Sequence, residues 1–215
     1  MLSRFPLCRV AAGFLAAGWM VPGAQARLGE TQAAIEARLL AANVGLRMPS
    51  EDAGDPRVRH DRPPYEASLG FLPSDARVAR YWKSALSRQI SKTDGWEIHV
   101  VLVGGVSVLE AYKRVGSGLS EFEVNGLLNL HKGGSRWMRV ASEQTADSSV
   151  LRHTLAREDG EFRANRQGNW FMIFSTKLDE FAVARQAEAR AEAERRREEQ
   201  RKIDAQRAPE SLAGF

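Results

Sequence analysis

Apolar and polar positions alternate along Asp94–Lys113, on both sides of a Gly104-Gly105 pair. Trp96, Ile98, Val100 and Leu102 interleave with Glu97, His99, Val101 and Val103, which is the period of a half-buried strand, and paired glycines suit the positive φ of a tight hairpin turn. With the two glycines as the loop, Val103 faces Val106, and the register runs back through Val101/Val108 and His99/Glu110 to Glu97/Tyr112. One face of this hairpin, bearing Trp96, Ile98, Val100, Leu102, Leu109 and Ala111, belongs in a core. The other mixes valines with charge, so Glu97 counts there as an ordinary surface residue and His99 and Glu110 form a cross-strand pair.

Helical spacing appears on either side of the hairpin. Gly29–Asn43 reads as a short helix with Thr31 as N-cap and a stripe of Ile35, Leu39 and Ala42. Ser120–Gly134 carries a capping box (Ser120, Glu123), a hydrophobic staple (Leu119, Val124) and a stop at Gly133. Gly126 stands in its interior at a cost of about 1 kcal/mol relative to Ala, which points to close approach by a neighbouring group. Ser74–Ile90 fits an amphipathic helix through Val78, Tyr81, Trp82, Ala85, Leu86 and Ile90, with a strand around Val78 to Trp82 as the competing reading. Strands are predicted at Trp137–Ala141, Val150–Arg157, Glu161–Arg166 and Trp170–Thr176, the last three separated by Asp159-Gly160 and Gly168-Asn169 turns. The class is therefore α+β: a mostly antiparallel sheet of about six strands with helices on one face.

The pattern then changes. Ala184–Lys202 contains no large apolar or aromatic residue. Arg and Glu recur instead at helical spacing, as in Glu192/Arg196 and Arg195/Glu199. Residues 181–208 read as a solvated, charge-laced single helix ended by Pro209, with a short tail over 209–215. A cut near Glu180 is accordingly expected to leave the domain, residues 74–180, intact. Between the N-terminal segment, 27–45, and that domain, residues 46–73 hold five of the eight prolines and read as an irregular surface excursion with a mobile tip.

Composition alters the picture mainly at the N-terminus. Residues 1–26 combine Arg4 and Arg9, an apolar run from Val10 to Val21, a Pro22-Gly23 break and the small-x-small motif Ala24-Gln25-Ala26, the layout of a cleaved secretory signal. The apolar run is shorter than the ~20 residues that span a bilayer, so no transmembrane segment is expected after cleavage. Cleavage leaves 189 of the 215 residues, removes the only cysteine, Cys8, and lowers the formal net charge from +4 to +2. A secreted or periplasmic chain follows, without disulfides or cysteine-based metal sites. Its near-balanced charge gives no footing for nucleic acid as a partner.

The order Gly29-Glu30-Thr31 with its helix, then Trp96-x-Ile98-x-Val100-x-Leu102 with Gly104-Gly105-x-Ser107, then Leu119-Ser120-x-x-Glu123 and Trp137, resembles a group of short secreted bacterial proteins. It is remotely similar to the small outer-membrane lipoproteins of the SmpA/OmlA (BamE) family. In that family a Gly-x-Thr/Ser helix start is followed by a Gly-x-Pro stop, here the looser Gly45-Leu46-Arg47-Met48-Pro49, and by a small antiparallel sheet. The lipid-bearing cysteine has no counterpart, because Cys8 precedes the apolar run. The resemblance implies an envelope protein and transfers no catalytic residue.

Candidate chemistry is sparse. His60, His99, His131 and His153 show no spacing that sets two metal ligands on one helical face, and no motif calls for a cofactor. His99 opposite Glu110 could hold an imidazole for acid–base work, and Trp137 could line a carbohydrate or peptide groove. These three are the candidate binding residues, and no catalytic residue is assigned. The sequence supports a non-catalytic envelope module that binds an envelope protein or the cell wall. The alternative is a hydrolase acting on cell-wall or extracellular polymer through the His99/Glu110 face.

Overall fold

A computed structural model describes residues 28–40, 45–48, 63–84, 89–91, 93–141 and 149–212. The signal-like segment 1–26 and the tip of the Pro-rich excursion lie outside the described residues. Eight antiparallel strands form one sheet: β1 (Gly45–Arg47), β2 (Arg77–Lys83), β3 (Trp96–Val103), β4 (Val106–Arg114), β5 (Trp137–Arg139), β6 (Leu155–Arg157), β7 (Phe162–Gln167) and β8 (Trp170–Ser175), in the order β1-β2-β3-β4-β8-β7-β6-β5. Among the described residues three α-helices accompany it: α1 (Gln32–Leu39), α2 (Glu121–Leu130) and α3 (Lys177–Leu212). The class is α+β as the patterning implies, with eight strands in place of about six.

One added strand is β2, where the sequence favours a helix over Ser74–Ile90. The same aromatic and apolar residues also fit period two, and a seven-residue ladder with β3, from Arg77/Leu102 to Lys83/Trp96, outweighs a weak helical preference. Ala79 and Tyr81 then lie in the core with Ile98 and Val100. The strand expected over Val150–Arg157 forms only at Leu155–Arg157, because Leu151 and His153 turn inward and the Val150 amide donates to Asp179 at 2.8 Å.

The hairpin forms on Gly104 and Gly105, at φ 59° and 80°, but its register departs from the simple one. Val103 faces Val106 and Leu102 faces Ser107; a bulge at Val108 then sets Val101 against Leu109, Val100 against Glu110 and His99 against Ala111. The N-terminal segment accounts for the irregularity. Gly29 donates to the Ser107 carbonyl and Ser107 donates back to the Glu30 carbonyl, at 3.0 and 2.9 Å, so Ser107 is claimed by a third chain segment.

Beyond the bulge every β4 side chain changes face. Ile98, Val100 and Leu102 share the core under α1 and α2 with Tyr112, Phe171 and Ile173. Leu109 and Ala111 fall on the opposite face with Val101, Val108, Met172 and Phe174. That face is covered by a 3-10 helix at Glu66–Phe71, anchored by Tyr65, and by Leu178 and Phe181 of α3. The end of the presumed excursion is therefore core, and the sheet is buried on both sides. This explains the unbroken apolar run of β8, every residue of which is buried.

The capping box of α2 is present: Glu123 N–H donates to Ser120 Oγ at 3.2 Å, and Ser120 N–H donates to Glu123 Oε2 at 2.9 Å. The charged helix α3 starts earlier than expected, at Lys177, where Asp179 and Glu180 complement the positive end of its dipole and Leu178 docks on the sheet. It continues past Pro209 to Leu212. Residues 183–206 are all exposed.

Candidate functional site

The bulge separates the two residues that the sequence pairs. Glu110 points under α1 and α2, and His99 points to the other face, so the structure does not bring them together. Each becomes the centre of its own buried polar cluster.

Glu110 is wholly buried. Its carboxylate accepts a short hydrogen bond from Tyr112 Oη, lies 3.5 Å from the Arg38 guanidinium of α1 and 3.9 Å from His131 Nε2. Tyr112 Oη also lies 3.0 Å from His131 Nε2, where α2 ends. Arg38 continues outward to Glu30 at 2.9 Å, and Arg157 on β6 donates to the His131 carbonyl at 3.2 Å. Burial pulls the Arg38 pKa down, but Glu110, Tyr112 and Glu30 together hold it above the ordinary arginine value. Nearby, burial first and then the Glu36 charge push Tyr81 up to about 12, while its hydroxyl donates to Glu36 at 3.2 Å. The cluster thus fastens α1, β4, the end of α2 and β6 to one another.

On the other face Tyr65 Oη lies 2.6 Å from His99 Nδ1, and His99 Nε2 lies 2.8 Å from Glu97 Oε1. An ionised carboxylate only accepts, so Nε2 carries a proton and donates to Glu97; Nδ1 accepts from Tyr65 when the ring is neutral and donates to it when the ring is charged. Glu97 reaches Lys113 at 3.8 Å, whose ammonium sits 5.5 Å above the Trp170 ring. Burial raises the Glu97 carboxyl, but the His99 hydrogen bond and the charges of His99, Lys113 and Arg80 outweigh it and hold its pKa below the usual carboxylate range. In bond order this is a carboxylate–imidazole–hydroxyl relay of the kind that activates a nucleophile. Tyr65 is 1% exposed and His99 2%, so the hydroxyl end is closed to a substrate and only the Glu97–Lys113 end touches solvent.

Compared with protein-family models, with curated proteins and with solved structures, the chain finds no match.

Trp137 opens β5 half-buried, and its indole N–H donates to the Leu128 carbonyl of α2 at 2.9 Å. It is a tie between strand and helix. A groove of about 400 Å³ lies elsewhere, between Phe71, Leu72 and Pro73 on one side and Phe181, Arg185 and Glu188 of α3 on the other. None of His99, Glu110 and Trp137 lines it. Among the described residues no group of three or more histidine or acidic side chains is placed to hold a metal ion, and no helix is long and apolar enough to cross a membrane.

Sequence reasoning missed Arg38, Tyr65, Tyr112 and His131 as members of these clusters. Tyr65 carried one usable signal, a lone tyrosine beside Pro63-Pro64 just before an apolar stretch. His131 reads as a dipole-complementing residue at a helix end, whereas it is wholly buried.

Proposed function

We propose that the chain is an exported, non-catalytic envelope protein whose α+β body binds a partner and whose α3 serves as an arm. One observation carries this reading: the reactive side chains are sealed inside as ties between layers, while the outer surface includes 24 consecutive exposed residues of α3, from 183 to 206. The whole 36-residue helix is about 54 Å long, and from residue 183 to residue 206 it buries nothing against the body. A helix polar all round that persists without burial suits a solvent-bridging spacer. The secretory layout of residues 1–26 and the resemblance to small envelope proteins point to the same compartment. Hydrolysis through a shared His99/Glu110 face is the less supported reading, since the two residues project from opposite sides of the sheet.

The test combines location with chemistry. Mass spectrometry of the exported protein should find Arg27 at its N-terminus. Photo-crosslinkers at Arg190 and Arg197 on the arm and at Met138 on β5 should give adducts of discrete mass in intact cells. Glu97→Gln and Glu110→Gln should leave those adducts unchanged. Turnover of an envelope polymer by the purified protein, abolished by either substitution, would overturn the proposal.

A further inference from the structure

Charge on the exposed stretch of α3, residues 183–206, is sorted by side. At about 100° per residue, Arg185, Arg190, Arg196, Arg197 and Arg201 all fall within about 80° of Ala193, with Asp204 the one acid of that side. Glu188, Glu192, Glu194, Glu198 and Glu199 fall within about the same angle of Lys202, on the opposite side, where Arg195 is the other base. Ion pairs cross one seam between the two sides, Arg185–Glu188 at 3.2 Å and Arg196–Glu192. Arg190, Arg197 and Arg201 hold no ion pair among the described residues, and all three are exposed. Summed over the stretch the sorting disappears, since seven basic side chains against six acidic leave a net charge of +1.

We infer that the arginine side of α3 docks a protein partner through a row of carboxylates, such as an acidic helix laid alongside the arm. The inference rests on the reading of α3 as an arm and names what the arm takes. A guanidinium fork matches a carboxylate bidentately, and the one lysine of the stretch, Lys202, lies on the other side. From Arg185 to Arg201 the row is about 24 Å long, so one straight partner element can meet all five arginines. Width decides between partners. An element about as wide as the arm meets the arginines and Asp204 alone. A broad anionic surface such as a bilayer also repels the glutamates, which lie only about one Debye length, ~8 Å, farther away. It finds no large apolar side chains to take in beyond Val183 and Ile203, which suits an inserting helix poorly. A second copy could offer its own glutamate side, but joining unlike sides is a head-to-tail contact that leaves both outer sides open and runs on into filaments.

Photo-crosslinkers placed at Ala193 and at Ala191 of the full chain, in intact cells, test this, because the two positions are close in sequence and face opposite sides of the helix. Ala193 should give one protein adduct of discrete mass, and Ala191 should give none. Arg190→Glu together with Arg197→Glu should cut the Ala193 adduct at least about 10-fold, since the change sets like charges against each other in the contact. Arg195→Glu together with Lys202→Glu alters the net charge by the same amount on the glutamate side, and should leave the adduct within about 2-fold. Circular dichroism of the two purified double variants checks that α3 stays helical in both. Equal adducts from the two positions, equal losses in the two double variants, an adduct of lipid mass or one at twice the mass of the chain would each overturn the inference. Equal losses or a lipid adduct would assign the arm to a bilayer, and the doubled mass to a second copy. Adducts from Met138 alone would overturn it while leaving the partner-binding body in place, whereas silence at all three positions would overturn both readings.

Discussion

Toward α1 and α2, the sheet buries a carboxylate completely: Glu110 is held by Tyr112, Arg38 and His131, groups from three different elements. On the opposite face, Glu97 keeps 17% of its side chain exposed and holds His99 from the same strand, with Lys113 from the next. The first arrangement is a cross-brace that ties α1 and the end of α2 to β4 through Arg38 and His131. The second is a border, where a carboxylate at the solvent edge orients an imidazole that reaches inward to Tyr65 and so pins the 3-10 segment. A buried charge without partners is costly. One face meets that constraint by linking elements around the charge, and the other by leaving the charge at the rim.

Breaking the cross-brace should give the largest loss. Glu110→Ala leaves Arg38 beside an empty site and strips Tyr112 of its acceptor, for an expected cost of about 3–5 kcal/mol. The double variant Glu110→Leu/Arg38→Met should lose clearly less, because the charge and its counter-charge leave together. Chemical denaturation of the three proteins measures both. A Glu110→Ala loss near zero would mean that the brace carries no net stability.

The bulge is tested next, by paired truncations. Leu102→Ala and Leu109→Ala should each cost about 2–5 kcal/mol, since both leave cavities in a filled core. They should add, because the two residues belong to different faces. If the simple register held, Leu102 and Leu109 would share one core, and the double variant would show coupling.

Glu97→Ala follows, at about 1–3 kcal/mol from the orphaned His99 donor. A solvent-facing sheet on that side would make it an ordinary surface change of about 0.5 kcal/mol or less. The Glu97 pKa is lowered in the folded state, so its contribution is present above the unfolded carboxylate value of about 4.3 and disappears as pH falls through the folded value. His153 adds to acid sensitivity in a higher window. Burial, helped by the Arg163 charge, lowers its pKa, so its share of stability is complete above about pH 6.5 and is lost as pH falls. His153→Phe should flatten stability between about pH 6.5 and the folded value, and a pH series of urea melts reads the slope.

Much of this fold is legible in sequence because the deciding signals are local. Ser120 and Glu123 cap a helix wherever that helix lies, and Gly104-Gly105 makes a turn without outside help. What escaped was decided at a distance. The bulge at Val108 depends on Gly29 and Glu30 reaching Ser107, 78 residues apart for the glycine. Moving β4 by one residue was enough to send Glu110 and His99 to opposite faces. The helix-or-strand choice at Arg77–Lys83 rested on whether β3 offered a free edge, a property of the assembled sheet. The signal at Tyr65 was weak for a like reason: a tyrosine among prolines reads as surface until the uncovered side of a sheet needs it.

The smallest effect belongs to the arm. The sequence places the harmless cut near Glu180, but Phe181 packs on the α3 side of the sheet and Ala182 is buried, so that cut opens the core. A chain ending at Arg190 keeps both, along with the Arg163–Asp179 ion pair and the Arg185–Glu188 pair at 3.2 Å. What it loses is exposed helix held by pairs such as Arg196–Glu192. Such pairs contribute a few tenths of a kcal/mol each within the helix and almost nothing to the body. At this chain length about 1 kcal/mol moves the melting midpoint by only ~2–4 °C. The Arg190 truncation should therefore melt within that interval of the full chain, and the Glu180 truncation well below it. Calorimetry of the two side by side locates the boundary between body and arm. Equal midpoints would place it before Phe181, whereas a large drop for both would mean that the solvated helix stabilises the body along its length.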